Sequence, residues 1–183
     1  QELYRSSGLP WEKFWLIPNG VDLGRFRPGD QRERQALRRE LGLPEELPLI
    51  LFVGFFSHEK RPDILFKAWT RMLSGDLPSM GLVFVGATRS RYYEVDPGLA
   101  QKIRSEAQHL GVEKYVVFVE VTHEIEKYYR TSDVFVLPSI REGLPNALLE
   151  AMATGLPCVV SRLSGVTDLV IDHELNGLLF PPS

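Results

Sequence analysis

The stretch VFVLPSIREGLPNALLEAMATGLPCVV, residues 134–160, reads as a strand, a loop, a helix and a second strand. Val134–Leu137 is a short apolar run with no polar residue interleaved. A strand of that kind is buried on both faces, as in a parallel sheet covered by helices. Residues 144–154 carry Pro145 early, then Ala147, Leu148, Ala151 and Met152 on one stripe, and Gly155 supplies a stop. Residues 158–160 resume the apolar pattern. Two apolar strands joined by a helix form a parallel crossover unit.

The same alternation runs back toward the N-terminus. Leu49–Val53, residues 82–85 and Val116–Val119 are further apolar strands, and residues 177–180 read as a last one. Between them, Pro62–Leu73 places Ile64, Leu65, Ala68, Trp69 and Leu73 on one stripe. Residues 97–110 align Leu99, Ile103, Ala107 and Leu110 before a stop at Gly111, and residues 122–130 predict a shorter helix. This repetition predicts an α/β fold with a doubly wound, mostly parallel Rossmann-like sheet. Residues 14–17 predict a short strand before the turn Pro18-Asn19-Gly20. Residues 31–41 predict a helix of mixed charge, either a solvated face or a phosphate- or membrane-contacting one.

Composition narrows the class. With 44% apolar, 25% charged and 10% aromatic residues over 183 positions, disordered, collagen-like and coiled-coil proteins are excluded. Twenty-one Lys and Arg against 24 Asp and Glu leave a net charge of −3, which argues against a dedicated nucleic-acid binder. No apolar run approaches the ~18–20 residues that cross a bilayer, and no secretory signal is read at the start. The single cysteine, Cys158, lies in a strand pattern and predicts core packing. A reducing, cytoplasmic setting is expected. Position 1 is Gln, so a piece of a longer protein is expected.

In an open parallel sheet, ligands bind beyond the carboxyl ends of the strands. That directs attention to the loops 54–61, 86–96 and 138–146. The first starts with Gly54 and ends in Lys60 and Arg61 ahead of a helix, where a phosphate would gain from both the cations and the helix N-terminus. On spacing alone, a solvated first-turn lysine is an equal alternative for Lys60. Neither a Walker A loop nor G-x-G-x-x-G is present. In the third loop, Gly143 permits close backbone approach after Glu142, and Pro145 opens a helix that contains Glu150. Eight residues at helical rise separate the two carboxylates by ~12 Å. An acid/base couple on one glycosidic bond needs ~5–9.5 Å, so the pair suits grips on two parts of a long ligand, or else a cap and a surface residue. In the second loop, Arg89, Arg91, Tyr92 and Tyr93 read as a cleft wall or as a solvated loop. His58, His109, His123 and His173 have no metal-ligand spacing and there is no Asp-x-Asp, so no metal requirement is expected. Ser139 and Ser164 lack a nucleophile context.

Taken together, these residues resemble the C-terminal, donor-binding domain of a GT-B glycosyltransferase of family 4, the group 1 glycosyltransferases. The resemblance runs from about Ile17 to Phe180. It rests on Ile17-Pro-Asn-Gly-Val-Asp22, on Val53-Gly54 followed by Glu59-Lys60, and on Asp133-Val-Phe-Val-Leu-Pro-Ser139. Glu142-Gly-Leu-Pro-Asn-Ala-Leu-Leu-Glu150-Ala-Met-Ala153 is the most specific block, and Asn176-Gly-Leu-Leu179 closes the pattern.

The resemblance implies roles at matching positions. Glu142 contacts hydroxyls of the donor sugar, Glu150 takes hydrogen bonds from the nucleotide ribose, and Lys60 neutralises the diphosphate, alone or with Arg61. Backbone groups of Gly143, Leu144, Pro145 and Asn146 approach sugar and diphosphate. Gly54 and Ser139 join the donor-binding set, and Val119 and Val121 are assigned to the base. Transfer with retention of configuration, without metal or other cofactor, is implied, from a UDP-, GDP- or ADP-linked sugar to a glycan or lipid. Residues 1–16 are then a linker or remnant and 17–183 the nucleotide-sugar-binding domain, with the N-terminal acceptor domain and terminal helices outside it. Peripheral membrane association of the longer enzyme is common in the family. Two departures stand out: Phe55 where the family often has Arg, and Glu120 where it usually has Gly. An epimerase, a phosphorylase of the same architecture and a non-catalytic nucleotide-binding module share these features.

Overall fold

The computed structural model describes residues 19–73, 80–89 and 94–182. The predicted strand at 14–17, the linker at 1–16, and Arg91, Tyr92 and Tyr93 lie outside them. The described chain forms six strands: β1 (Leu49–Val53), β2 (Gly81–Val85), β3 (Val116–Val119), β4 (Val134–Leu137), β5 (Cys158–Ser161) and β6 (Leu178–Phe180). Five α-helices accompany them: α1 (Gln31–Glu40), α2 (Pro62–Leu73), α3 (Pro97–His109), α4 (Ile125–Thr131) and α5 (Asn146–Ala153). All strand pairs are parallel, in the order β3-β2-β1-β4-β5-β6. This is the doubly wound α/β sheet expected from the sequence.

The apolar strands are explained by where alternate side chains go. In β1, Leu49 and Leu51 enter one core with Phe135, Leu137, Tyr129 and Leu148. Ile50 and Phe52 enter the other with Phe84, Phe66, Trp69 and Ile103. A strand that feeds two cores has no solvent face to leave polar. Each large apolar side chain fully buried in this way contributes about 1.5–3 kcal/mol.

Caps set the helix boundaries. Asp30 accepts from Glu33 N at 2.8 Å at the start of α1, and Asp96 accepts from Gly98 N at 2.9 Å at the start of α3. The helix predicted over 122–130 begins later, at Ile125, because Thr122 Oγ1 accepts from Glu124 N at 3.1 Å and holds a turn there. The helix predicted over 144–154 begins at Asn146. Pro145 is extended, with φ −74° and ψ 110°, and stands just outside it.

The floor between β1 and β2 is a contact between two glycines. Gly86 has φ +147°, and a Cβ there would lie 2.1 Å from Gly54 O. Gly54 N donates to Val85 O at 2.9 Å and Gly86 N to Val119 O at 2.9 Å, so the ladder continues past the strand ends into the loops.

Candidate functional site

β1 and β4 are neighbours, yet the chain leaves β1 toward β2 and β3 and leaves β4 toward β5 and β6. The loops after these two strands therefore diverge to opposite faces and leave a crevice between them. A cleft of ≈ 450 Å³ lies there, bordered by Gly54, Phe55, Lys60, Glu142 and Glu150, with Val121 on its far wall. A second, more polar hollow adjoins it across Lys60 and Glu142 and includes Ser57, Glu59 and Gly143.

Lys60 and Glu142 meet at the boundary. Lys60 Nζ lies 2.6 Å from Glu142 Oε1 and 2.6 Å from Oε2. The Glu142 side chain is 6% exposed and that of Lys60 28%, so both heads lie partly shielded from solvent. Backbone geometry brings them together. Lys60 N donates to Ser57 O at 3.2 Å, and Ile140 N donates to Glu59 O at 2.8 Å, which stitches the two loops into one rim. Arg141 and Glu59 add an exposed ion pair at 2.9 Å.

Arg61 sits immediately beyond, with φ +52°, the left-handed step that frees Pro62 to start α2. Its guanidinium turns to Asp63, with Nε 3.1 Å from Oδ1 and Nη2 3.2 Å from Oδ2. Burial works to raise the Asp63 carboxyl, but the Arg61 hydrogen bond and charge, with backbone N–H donors, hold it below the usual range. Arg61 does not border the cleft.

The remaining expected residues divide in the same way. Leu144, Pro145 and Asn146 line the cleft, where α5 also presents its N-terminus with its partial positive charge. Glu142 and Glu150 both border it even though α5 starts only at Asn146, so the helical spacing of the sequence argument does not apply between them. Gly143 lies in the adjoining hollow. Val121 is exposed on the wall, whereas Val119 ends β3 without reaching it. Ser139 is buried, does not line the cleft, and its Oγ has no hydrogen-bond partner among the described residues.

Glu120 faces away toward Thr88, accepting from Thr88 N at 3.0 Å and from its Oγ1. Burial pulls its pKa upward, but the two Thr88 bonds and the charges of Arg104 and Arg89 outweigh that and keep the carboxyl below its usual range. Among the described residues no group of three His, Cys, Asp or Glu converges as a metal site would require.

Two residues were given no site role by the sequence reading. Asn19 Nδ2 donates to Asn146 Oδ1 at 2.8 Å and to Leu144 O at 3.2 Å, tying the start of the described chain to the cleft rim. Its place in the Pro-Asn-Gly turn was the available signal. Tyr129 OH lies 2.9 Å from Glu150 Oε2 and 3.1 Å from Ala147 O, and nothing in its local sequence marks it as different from Tyr128.

The profile of the family described as "Glycosyl transferases group 1" matches residues 33–183. The chain belongs to this family. It is 36% identical over 169 residues to the D-inositol 3-phosphate glycosyltransferase of Geodermatophilus obscurus, covering 90% of this chain and 36% of that protein. It is 33% identical over 173 residues to the UDP-Gal:alpha-D-GlcNAc-diphosphoundecaprenol alpha-1,3-galactosyltransferase of Escherichia coli, covering 91% of this chain and 41% of that one. The chain therefore spans well under half the length of these curated relatives. Its fold matches the crystal structure of Anabaena Alr3699/HepE in complex with UDP-glucose, with a TM-score of 0.82 at 22% identity, over 100% of this chain and 47% of that one. Among the described residues of this group 1 glycosyltransferase domain, no helix is long and apolar enough to cross a membrane.

Proposed function

We propose that the cleft between β1 and β4 holds a nucleoside-diphosphate sugar, from which the longer enzyme transfers the sugar to a glycan or lipid acceptor with retention of configuration. The observation that carries this reading is the convergence of Lys60, Glu142, Glu150 and the α5 N-terminus on one cleft. One relative named for a UDP-Gal donor and a fold neighbour in complex with UDP-glucose support it.

The chemistry follows from charge. As the bond between sugar and diphosphate breaks, negative charge grows on the departing phosphate and the sugar becomes oxocarbenium-like. The α5 N-terminus faces that charge from a fixed position, and Lys60 meets it by exchanging part of its contact with Glu142 for the phosphate oxygens. In this reading they do the work that a metal ion does elsewhere. Glu142 orients the sugar through its hydroxyls, and Glu150 accepts from the ribose. The walls at Phe55, Val121, Ile125 and Ala147 are apolar, which lowers the dielectric beside these contacts and strengthens them. The acceptor is held by a part of the protein outside this chain, across the cleft.

Titration calorimetry with UDP, GDP and ADP tests the reading and identifies the base. One of the three is expected to bind, without sugar transfer by the 183-residue chain alone. Absence of heat with all three would refute a nucleotide site.

A further inference from the structure

Glu150 is held by a residue that does not border the cleft. Tyr129 is 0% exposed, its ring packed edge-on against Phe26 at 5.9 Å and tilted against Phe135 at 6.0 Å. Those contacts leave the phenol little rotational freedom, and its hydroxyl reaches across from α4 to the first two turns of α5, at Ala147 O and Glu150 Oε2. Among the described residues, Glu150 Oε1 takes no hydrogen bond, and Glu150 borders the cleft.

We propose that Tyr129 is a positioning residue for the nucleotide ribose: its buried hydroxyl fixes one oxygen of Glu150, so that the other is presented to the ribose hydroxyls in a single orientation. The inference rests on the reading of the cleft as a nucleotide site and names what sets its ribose contact. A flexible Glu side chain free at the tip would lose rotamer entropy each time it closed on a sugar hydroxyl, and a carboxylate already pinned does not. Burial, followed by the Glu150 charge and hydrogen bond, pushes the Tyr129 phenol well above its usual range, so at neutral pH it keeps its proton and can donate.

The test compares UDP, GDP and ADP with their 2′,3′-dideoxy counterparts, by calorimetry, on the wild type, Tyr129→Phe, Glu150→Ala and the double variant. Tyr129→Phe keeps the ring and removes only the hydroxyl. It is expected to weaken the ribonucleotide that binds by about three- to tenfold, the value of one hydrogen bond. The dideoxy form should be unchanged within about twofold, and Tyr129→Phe should add nothing further in the Glu150→Ala background. A merely structural role would weaken both nucleotides alike, and that result, or no weakening of either, overturns the inference. The nucleotide-site reading then still stands if Glu150→Ala alone lowers ribonucleotide affinity. If the wild type binds none of the three nucleotides, both fall together. Should Tyr129→Phe not fold, Glu150→Asp retains the charge but draws the carboxylate back from the hydroxyl. The same ribose-dependent loss is expected from it, and an unchanged affinity would overturn the inference.

Discussion

Lys60 Nζ lies 2.6 Å from each carboxylate oxygen of Glu142, so the cation proposed for the diphosphate and the anion proposed for the sugar hold one another across the cleft boundary. A phosphate that approaches Lys60 competes with Glu142 for the same ammonium protons. The two residues are therefore expected to act oppositely on a free nucleoside diphosphate. Lys60→Ala should weaken it, and slow turnover of the longer enzyme, by at least ~10-fold, because a hydrogen bond to a charged group is worth about 1.5–3 kcal/mol. Glu142→Gln should tighten the free diphosphate by a few-fold, roughly the range of a partly exposed ion pair, while weakening the nucleotide sugar. Calorimetry on both variants decides it: equal weakening by both would show that Glu142 does not compete for Lys60.

Phe55 borders the cleft directly after Gly54. A cation at that position would face the same diphosphate as Lys60. Phe55→Arg is expected to tighten nucleoside diphosphate binding by about tenfold at low salt, with the gain shrinking as ionic strength rises. A gain that ignores salt would point to packing instead of charge.

Gly86 has φ +147°, and a side chain there would strike Gly54 O at 2.1 Å. Gly86→Ala must therefore separate the ends of β1 and β2 as well as accept a strained backbone. The expected loss is at least about 2 kcal/mol in urea unfolding. The contrasting change, Gly143→Ala, meets no atom within 4 Å and should leave the unfolding midpoint nearly unmoved. Equal midpoints for the two variants would contradict the glycine contact.

Burial pushes the Cys158 thiol up to about 12 from an ordinary value of 9.0, and the phenols of Tyr128 and Tyr129 are raised in the same sense. Above its ordinary value the unfolded chain releases the thiol proton while the folded chain keeps it. The unfolded state then binds fewer protons, so stability present below pH 9.0 declines as pH rises toward about 12. Urea midpoints should fall steadily over that window, and Cys158→Ala should flatten part of the slope. In the folded protein at neutral pH the thiol should resist alkylation until global unfolding exposes it. Rapid labelling under native conditions would contradict its burial.

The parallel sheet was legible because burial on both faces removes polar alternation, as in Leu49–Val53, where alternate residues feed two separate cores. Helix starts were less legible where a side chain competed with the backbone. Thr122 delays α4 by capping a turn, and Pro145 stands outside α5 in extended geometry. At the site, Lys60, Glu142 and Glu150 were marked by residue type and by their place after strands. Their pairing was not, since Lys60 and Glu142 are separated by 82 positions. Arg61, adjacent to Lys60 and equally charged, turns to Asp63 instead of bordering the cleft.

The chain by itself determined the six strands and five α-helices of the described residues, the sheet's parallel character and the loops that bear charge. Local periodicity and turn chemistry are written in consecutive residues and need no partner from afar. Only the tertiary structure decided that Lys60 bridges Glu142, that Tyr129 grips Glu150 and that Gly86 must stay bare against Gly54. Each of those relations joins segments brought together by the order β3-β2-β1-β4 or by the docking of α4 on α5, and such contacts leave no periodic trace in either segment alone.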